Sequence, residues 1–305
     1  MLRNSLSGLH PFPKIIFSLF IIMACFLAIF LIALLIAVPV FNIPINELTH
    51  QIGNYKNPDN FVFLKYLQTV QSLGLFVIPA FIIGYLMHNN TITYLGFDVK
   101  IKPQRVIAAV IIMLVALPLV NYLGVINSSM DLPQWLSGLE QWMKDKESSA
   151  RELTEAFVSM KNFWQLLYGI FMIGLIPAVG EELIFRGVFQ RIFSEWTKNI
   201  HWGIFIAAFL FSAMHFQFYG FLPRLLLGML FGYMFYWSRS IWIPILAHFA
   251  NNTTAVVAYY FYPDKINREA NSFESIPGLE IFLLVNAAIF ALLLLNFYRK
   301  SNEIR

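Results

Sequence analysis

The sequence predicts an all-α, polytopic membrane protein, and three observations predict it: composition, the length of the uncharged runs, and the way single charges punctuate them. Of 305 residues, 58% are apolar and 12% charged, against roughly 45–50% and about 25% in ordinary soluble domains. With 31 Phe and a mean hydropathy of +0.65, the chain has more apolar surface than one water-soluble core could hide. Several stretches run for about 20 residues without Asp, Glu, Lys or Arg, the length that crosses roughly 30 Å of hydrocarbon at helical rise.

Eight such runs follow in order: 15–40, 66–87, 106–126 and 162–180, then 202–223, 225–238, 240–263 and 281–298. The first is too long for the apolar core of a signal peptide, so it reads as a retained helix. The run 225–238 is short, about 21 Å as a helix, and needs Arg224 and Arg239 to snorkel outward at its ends. Between the third and fourth runs, segment 127–161 carries Trp135, Leu136, Leu139, Trp142 and Met143, then Leu153, Ala156, Phe157 and Met160, at helical spacing. Such a stretch can lie in the headgroup plane with its apolar side down. A second amphipathic pattern covers 183–196, with Phe185, Val188, Phe189, Ile192, Phe193 and Trp196 at steps of three and four. The expectation is therefore about eight transmembrane helices with an interfacial amphipathic segment.

No repeat or linker divides the chain. It reads as one membrane domain with three parts: 1–161 (three spans and the amphipathic loop), 162–262 (the polar motifs below) and 263–305 (a loop and the last span). With the N-terminus inside, twelve Lys and Arg fall on the inner side and nine on the outer, which favours cytoplasmic termini under the positive-inside rule. The net charge of +4 comes from scattered cations that form no basic stripe, so no nucleic-acid partner is expected. A lone Cys25, inside an apolar run, leaves no disulfide framework and no thiolate zinc site.

Ionisable groups at bilayer depth cost about 2.5–3.5 kcal/mol on insertion scales, so those beside or within spans point to function. Glu181-Glu182-x-x-x-Arg186 closes the fourth run, His215 lies deep in the fifth, and His248-x-x-x-Asn252 lies in the seventh. Glu182 and Arg186 are four apart, in the favourable order for an ion pair, while Glu181 is turned about 100° from Glu182. His248 and Asn252 share a face. Pro177 and Pro244 each precede a motif by one turn and free a carbonyl there. A carboxylate base, imidazoles and an amide are the inventory for activating water and binding an oxyanion. These motifs place no Ser or Cys as a nucleophile, which points to direct attack by water on an amide.

These residues resemble the CPBP family of glutamic-type intramembrane proteases, the CAAX-protease and bacteriocin-processing (Abi-like) group. The resemblance lies in Glu181-Glu182-x-x-x-Arg186, Phe211-x-x-x-His215 and His248-x-x-x-Asn252, in that order, and covers about 162–262. It implies an endopeptidase without cofactor or bound metal. Glu181 would be the general base and His215 would hold the water. His248 and Asn252 would form the oxyanion hole, and Arg186 would steady the acidic pair through Glu182. It also implies a membrane-associated protein or peptide substrate, in the bilayer of the plasma (inner) membrane. Some relatives remove the last three residues of prenylated CAAX proteins, while others act in bacteriocin maturation or self-immunity. Spacing alone leaves open which Glu is the base. Two alternatives remain at this level: zinc held by Glu181, His215 and His248, or a non-enzymatic immunity, scaffold or transport protein using the same polar cluster.

Overall fold

The computed structural model describes residues 2–130, 132–263 and 277–302, and all regular structure among them is helical. Helix α1 is Pro11–Phe41, α2 Pro58–Met87, α3 Pro103–Ser128 and α4 Ser137–Val158. Then come α5 Phe163–Thr197, α6 Ile200–Ala213, α7 Phe221–Ser238, α8 Trp242–Phe261 and α9 Leu279–Asn302. Six segments are long and apolar enough to cross a membrane: α1, α2, α3, α5, Phe218–Ser238 containing α7, and Leu279–Ser301 within α9. The chain is an integral, polytopic membrane protein.

Starts are set locally. Asn162 caps α5 by accepting from the Gln165 amide at 3.0 Å, and Asn199 caps α6 by accepting from His201 at 2.8 Å. Pro58 and Pro103 sit in the first turns of α2 and α3, where a missing N–H costs nothing.

Two of the predicted runs are corrected. Run 202–223 is not one helix, because α6 ends at Ala213 and a short turn, Phe218–Gly220, precedes α7. Between them Phe216 has φ 52°. Side chains satisfy this turn: Ser212 Oγ donates to the Phe221 carbonyl at 2.6 Å, and Asn127 accepts from the Leu222 amide at 2.7 Å while donating to the Phe218 carbonyl at 3.1 Å. Hydropathy does not register a break whose backbone groups find partners inside the protein. Arg224 accordingly lies in the first turn of α7 rather than just before it.

The second correction concerns α5, which does not stop at the acidic pair. It continues to Thr197 and absorbs the 183–196 pattern, and every residue from 180 to 190 is buried, Arg186 and Gln190 included. Arg186 and Arg191, two of the twelve cations counted on the inner side, are thus helical. Residues 264–276, with Lys265 and Arg268, and Arg305 lie outside the described residues. Neither α6, with 14 residues, nor α8, which carries His248, Asn251, Asn252, Thr253 and Thr254, belongs to the long apolar set. Segment 127–161 does form an amphipathic helix, α4, with Leu139 and Trp142 exposed and Ala156 buried.

Two apolar clusters flank the site. One gathers Leu183, Val188, Phe189 and Ile192 of α5 with Ile83, Leu95, Phe211 and Ile241. The other joins α3, α7, α8 and α9 through Ile112, Met113, Phe231, Met234, Ala247 and Phe297. Helices come close where glycine removes a side chain: a Cβ on Gly180 would lie 2.6 Å from Phe76 Cβ of α2, and one on Gly228 would lie 3.0 Å from Ala208 Cβ of α6. Small residues serve this purpose in lipid, where packing and hydrogen bonds replace the hydrophobic drive between helices.

Candidate active site

The acidic pair sits in a helix whose hydrogen-bond ladder is twice interrupted. In α5 the segments Ile170–Leu175 and Leu183–Phe189 are wound as π-helix, on either side of Glu181 and Glu182, a distortion that frequently marks functional sites. Pro177 also lacks the N–H that would close on the Ile173 carbonyl. That carbonyl accepts instead from Asn252 Nδ2 of α8 at 3.1 Å, and Asn251 Nδ2 donates to Asn252 Oδ1 at 3.0 Å. The proline therefore anchors the amide of the third motif to the helix of the first.

Glu182 is fully buried and Arg186 is 1% exposed. Arg186 Nη1 donates to Glu182 Oε1 at 2.9 Å, and Nη2 donates to the Gly228 carbonyl of α7 at 3.0 Å. The guanidinium also lies 4.9 Å from the Phe211 ring centre and 5.6 Å from that of Phe231. Glu182 Oε1 takes a second hydrogen bond from His248 Nδ1, at 2.8 Å. A carboxylate only accepts, so Nδ1 carries the proton and Nε2 is the free edge of the ring. That edge faces Glu181, with Nε2 to Oε2 at 3.8 Å. Both acids thus meet one imidazole, at opposite nitrogens. Phe231 stacks on the same ring at 5.0 Å and Phe211 meets it edge-on at 6.0 Å.

His215 is not within a span; it follows the end of α6, in the connector. Its Nδ1 donates to the Phe211 carbonyl at 2.7 Å, which leaves Nε2 as an acceptor in the neutral ring. Its ring meets Phe211 at 5.1 Å, so Phe211 touches both imidazoles. The structure brings Glu181, Glu182, Arg186 and His248 into one buried cluster. Asn252 is fixed one turn along α8, and His215 is joined to the cluster through Phe211. Among the described residues no three His, Cys, Asp or Glu side chains are grouped so as to hold a metal ion.

Sequence reasoning missed Gln190. It is 2% exposed, four residues beyond Arg186, and its Nε2 donates to the Gly232 carbonyl at 3.2 Å. Glu182, Arg186 and Gln190 form a stripe, and its last two members hold the carbonyls of Gly228 and Gly232. Extending the four-residue step by one turn would have found it. The Gly228-x-x-x-Gly232 pattern is thus a close-packing device whose carbonyls also accept from Arg186 and Gln190, one each.

The geometry defines an integral membrane protein with a buried carboxylate, imidazole and guanidinium cluster drawn from two helices. Residues 163–254 match the family described as type II CAAX prenyl endopeptidase Rce1-like, and this stretch is a domain of that CPBP family. All six predicted site residues lie within it. Over 84 residues, 26% of this chain, the sequence is 31% identical to the uncharacterized protein YpbD of Bacillus subtilis (strain 168). The match spans 40% of that relative's length. No solved structure matches the chain.

Proposed function

We propose that this protein is an intramembrane endopeptidase that hydrolyses a peptide bond with water activated by Glu181 and His215. The observation that carries the reading is one imidazole that bonds Glu182 through Nδ1 and faces Glu181 with Nε2, inside a CAAX-endopeptidase-type domain. Glu181 accepts one water hydrogen and His215 Nε2 the other, which leaves an oxygen lone pair free to attack the carbonyl carbon. The oxyanion is met by the second N–H of Asn252 Nδ2 and by His248 Nε2, which takes up a proton from solvent before the substrate binds and returns it after the products leave. Glu181 then hands its proton to the leaving amine, so the carboxylate is restored. Glu182 and Arg186 act through His248: Glu182 accepts from its Nδ1 and fixes its plane, and Arg186 holds Glu182 in place. Preorganised donors aimed at a developing charge are the largest contribution such a site makes.

In this reading α6 and α8 complete a set of eight membrane-embedded helices, and α4 rests in the headgroup plane. The termini lie in the cytoplasm and the chain sits in the plasma (inner) membrane. The partners are the lipid bilayer and a membrane-associated protein or peptide substrate. The test is a comparison of new protein termini in membranes bearing native chain or Glu181→Gln. Native membranes should show cleavages that drop by about 10²–10⁴-fold in the variant, the scale of general-base catalysis. Equal cleavage by both would overturn the mechanism. Full complementation of a deletion by Glu181→Ala would favour the scaffold or transport alternative.

A further inference from the structure

Arg224 is a cation at the edge of the cluster that the mechanism above does not use. It lies in the first turn of α7, just after the connector that carries His215. Its Nη1 donates to Gln217 Oε1 at 2.7 Å and its Nη2 donates to the Gln217 carbonyl, so the guanidinium plane is fixed. Gly220 lies against it; a Cβ there would come 2.8 Å from Nη2. The third nitrogen, Nε, is buried and has no hydrogen-bond partner.

A carboxylate of α4 also acts on this guanidinium. Helix α4 packs over the same connector, with Trp142 against Phe218 at 5.3 Å between ring centres. Five residues along α4, Glu147 buries its Oε2 without a hydrogen-bond partner. Arg224 interacts electrostatically with Glu147, and with Glu181 of the cluster. A guanidinium with an unused Nε–H edge is shaped for two parallel bonds to a carboxylate. Arg224 and Glu147 each keep one unpaired buried atom instead of closing on each other.

We propose that Arg224 is a subsite for a carboxylate of the bound peptide, and that Glu147 of α4 competes for it. The subsite's role in choosing the scissile bond rests on the peptidase reading, since a carboxylate anchored there sets the distance from the cluster to the bond that is cut. The carboxylate can come from the peptide's C-terminus or from an acidic side chain.

The test uses the full-length protein in lipid nanodiscs and a fluorescein-labelled hexapeptide of Leu, Val and Ala. The peptide is made as the C-terminal acid, as the C-terminal amide, and as an amide ending in Glu. Binding is read by anisotropy and cleavage by mass spectrometry of the same samples. The native protein should bind a carboxylate-bearing form about tenfold more tightly than the plain amide, the scale of one charge-assisted pair. Preference for the acid identifies the C-terminus as the source, and preference for the Glu-ending amide identifies a side chain. Arg224→Gln should bind all three forms alike. Because that change also releases Gln217, Glu147→Gln supplies a second readout that leaves the connector intact. It should strengthen carboxylate binding about threefold and leave the plain amide unchanged. Three forms bound alike by the native protein, or a preference that survives Arg224→Gln, would overturn the subsite. An equal gain for acid and plain amide in Glu147→Gln would overturn the competition. Carboxylate-dependent binding with no cleavage of any form would overturn the peptidase reading and leave the subsite standing.

Discussion

Helices α1 and α5 have similar lengths, 31 and 35 residues, and treat their side chains in opposite ways. Along α1 the large apolar residues Phe20, Leu27, Leu31, Ile32 and Leu35 face outward, while the buried positions hold Lys14, Ser18, Ala33 and Ala37. Along α5, residues 180–190 are buried without interruption, and four of them are Glu181, Glu182, Arg186 and Gln190. In water the apolar residues of a helix turn inward. In lipid they lose nothing by facing out, so interior positions go to small residues that permit approach and polar ones that find partners. Burial in this molecule therefore admits polar groups wherever they find partners, beside the apolar clusters that surround them, and the exposed large apolar groups of α1 mark its outer face.

The sharpest way to break this contrast is to remove one polar partner from α5. Glu182→Ala leaves both Arg186 and His248 Nδ1 without their shared acceptor. Stripping one partner from a buried pair costs about 3–5 kcal/mol, because the remaining charge stays buried and uncompensated. Thermal unfolding in nanodiscs should show a large loss for Glu182→Ala and a small one for Glu181→Gln, which keeps the Arg186 pair intact. Equal losses would mean that the two acids do not divide structural and chemical roles as proposed.

A middle-sized effect tests the close approach of helices. In Gly203→Ala, the new Cβ would lie 2.7 Å from the Ser194 backbone nitrogen and 2.9 Å from the Gln190 carbonyl oxygen. Backbone cannot give as a side chain can, so this overpacking should cost about 1–3 kcal/mol. Gly124 in α3 meets nothing within 4 Å, and Gly124→Ala should stabilise by about 0.5–1 kcal/mol through helix propensity. Opposite signs in the same melting assay are the expected result; a shared sign would show that propensity, not helix approach, governs these glycines.

Much of this arrangement was legible in the sequence. The helical membrane class followed from composition. The Glu182–Arg186 pair followed from four-residue spacing, as did the shared face of His248 and Asn252. Pro177 signalled a freed carbonyl, and Asn252 takes it. What escaped was what hydropathy cannot see. The turn after α6 is as apolar as a span, and its backbone is satisfied by Ser212 at the end of α6 and by the distant Asn127. The end of α5 was misplaced because a charged pair reads as a membrane boundary when its partners, His248 and the Gly228 carbonyl, come from distant sequence. For the same reason the helices that carry chemistry are the ones least like ideal spans: polar residues that build the site lower the hydropathy that would have revealed the helix.

The smallest effect belongs to the perimeter and sharpens the contrast most directly. Leu35 of α1 is 72% exposed, while Ala37, two residues on, is fully buried in a cluster with Phe63 and Leu67 of α2. If the outer face of α1 meets lipid, Leu35→Ala exchanges one lipid-compatible side chain for another and should shift stability by under about 0.5 kcal/mol, as surface changes do. Ala37→Leu must fit three more carbons against aromatic neighbours and should cost about 1–3 kcal/mol. Both are read as melting shifts in nanodiscs. A loss for Leu35→Ala as large as that for Ala37→Leu would mean that this face packs against protein, and α1 would then belong to an interface rather than to the lipid boundary.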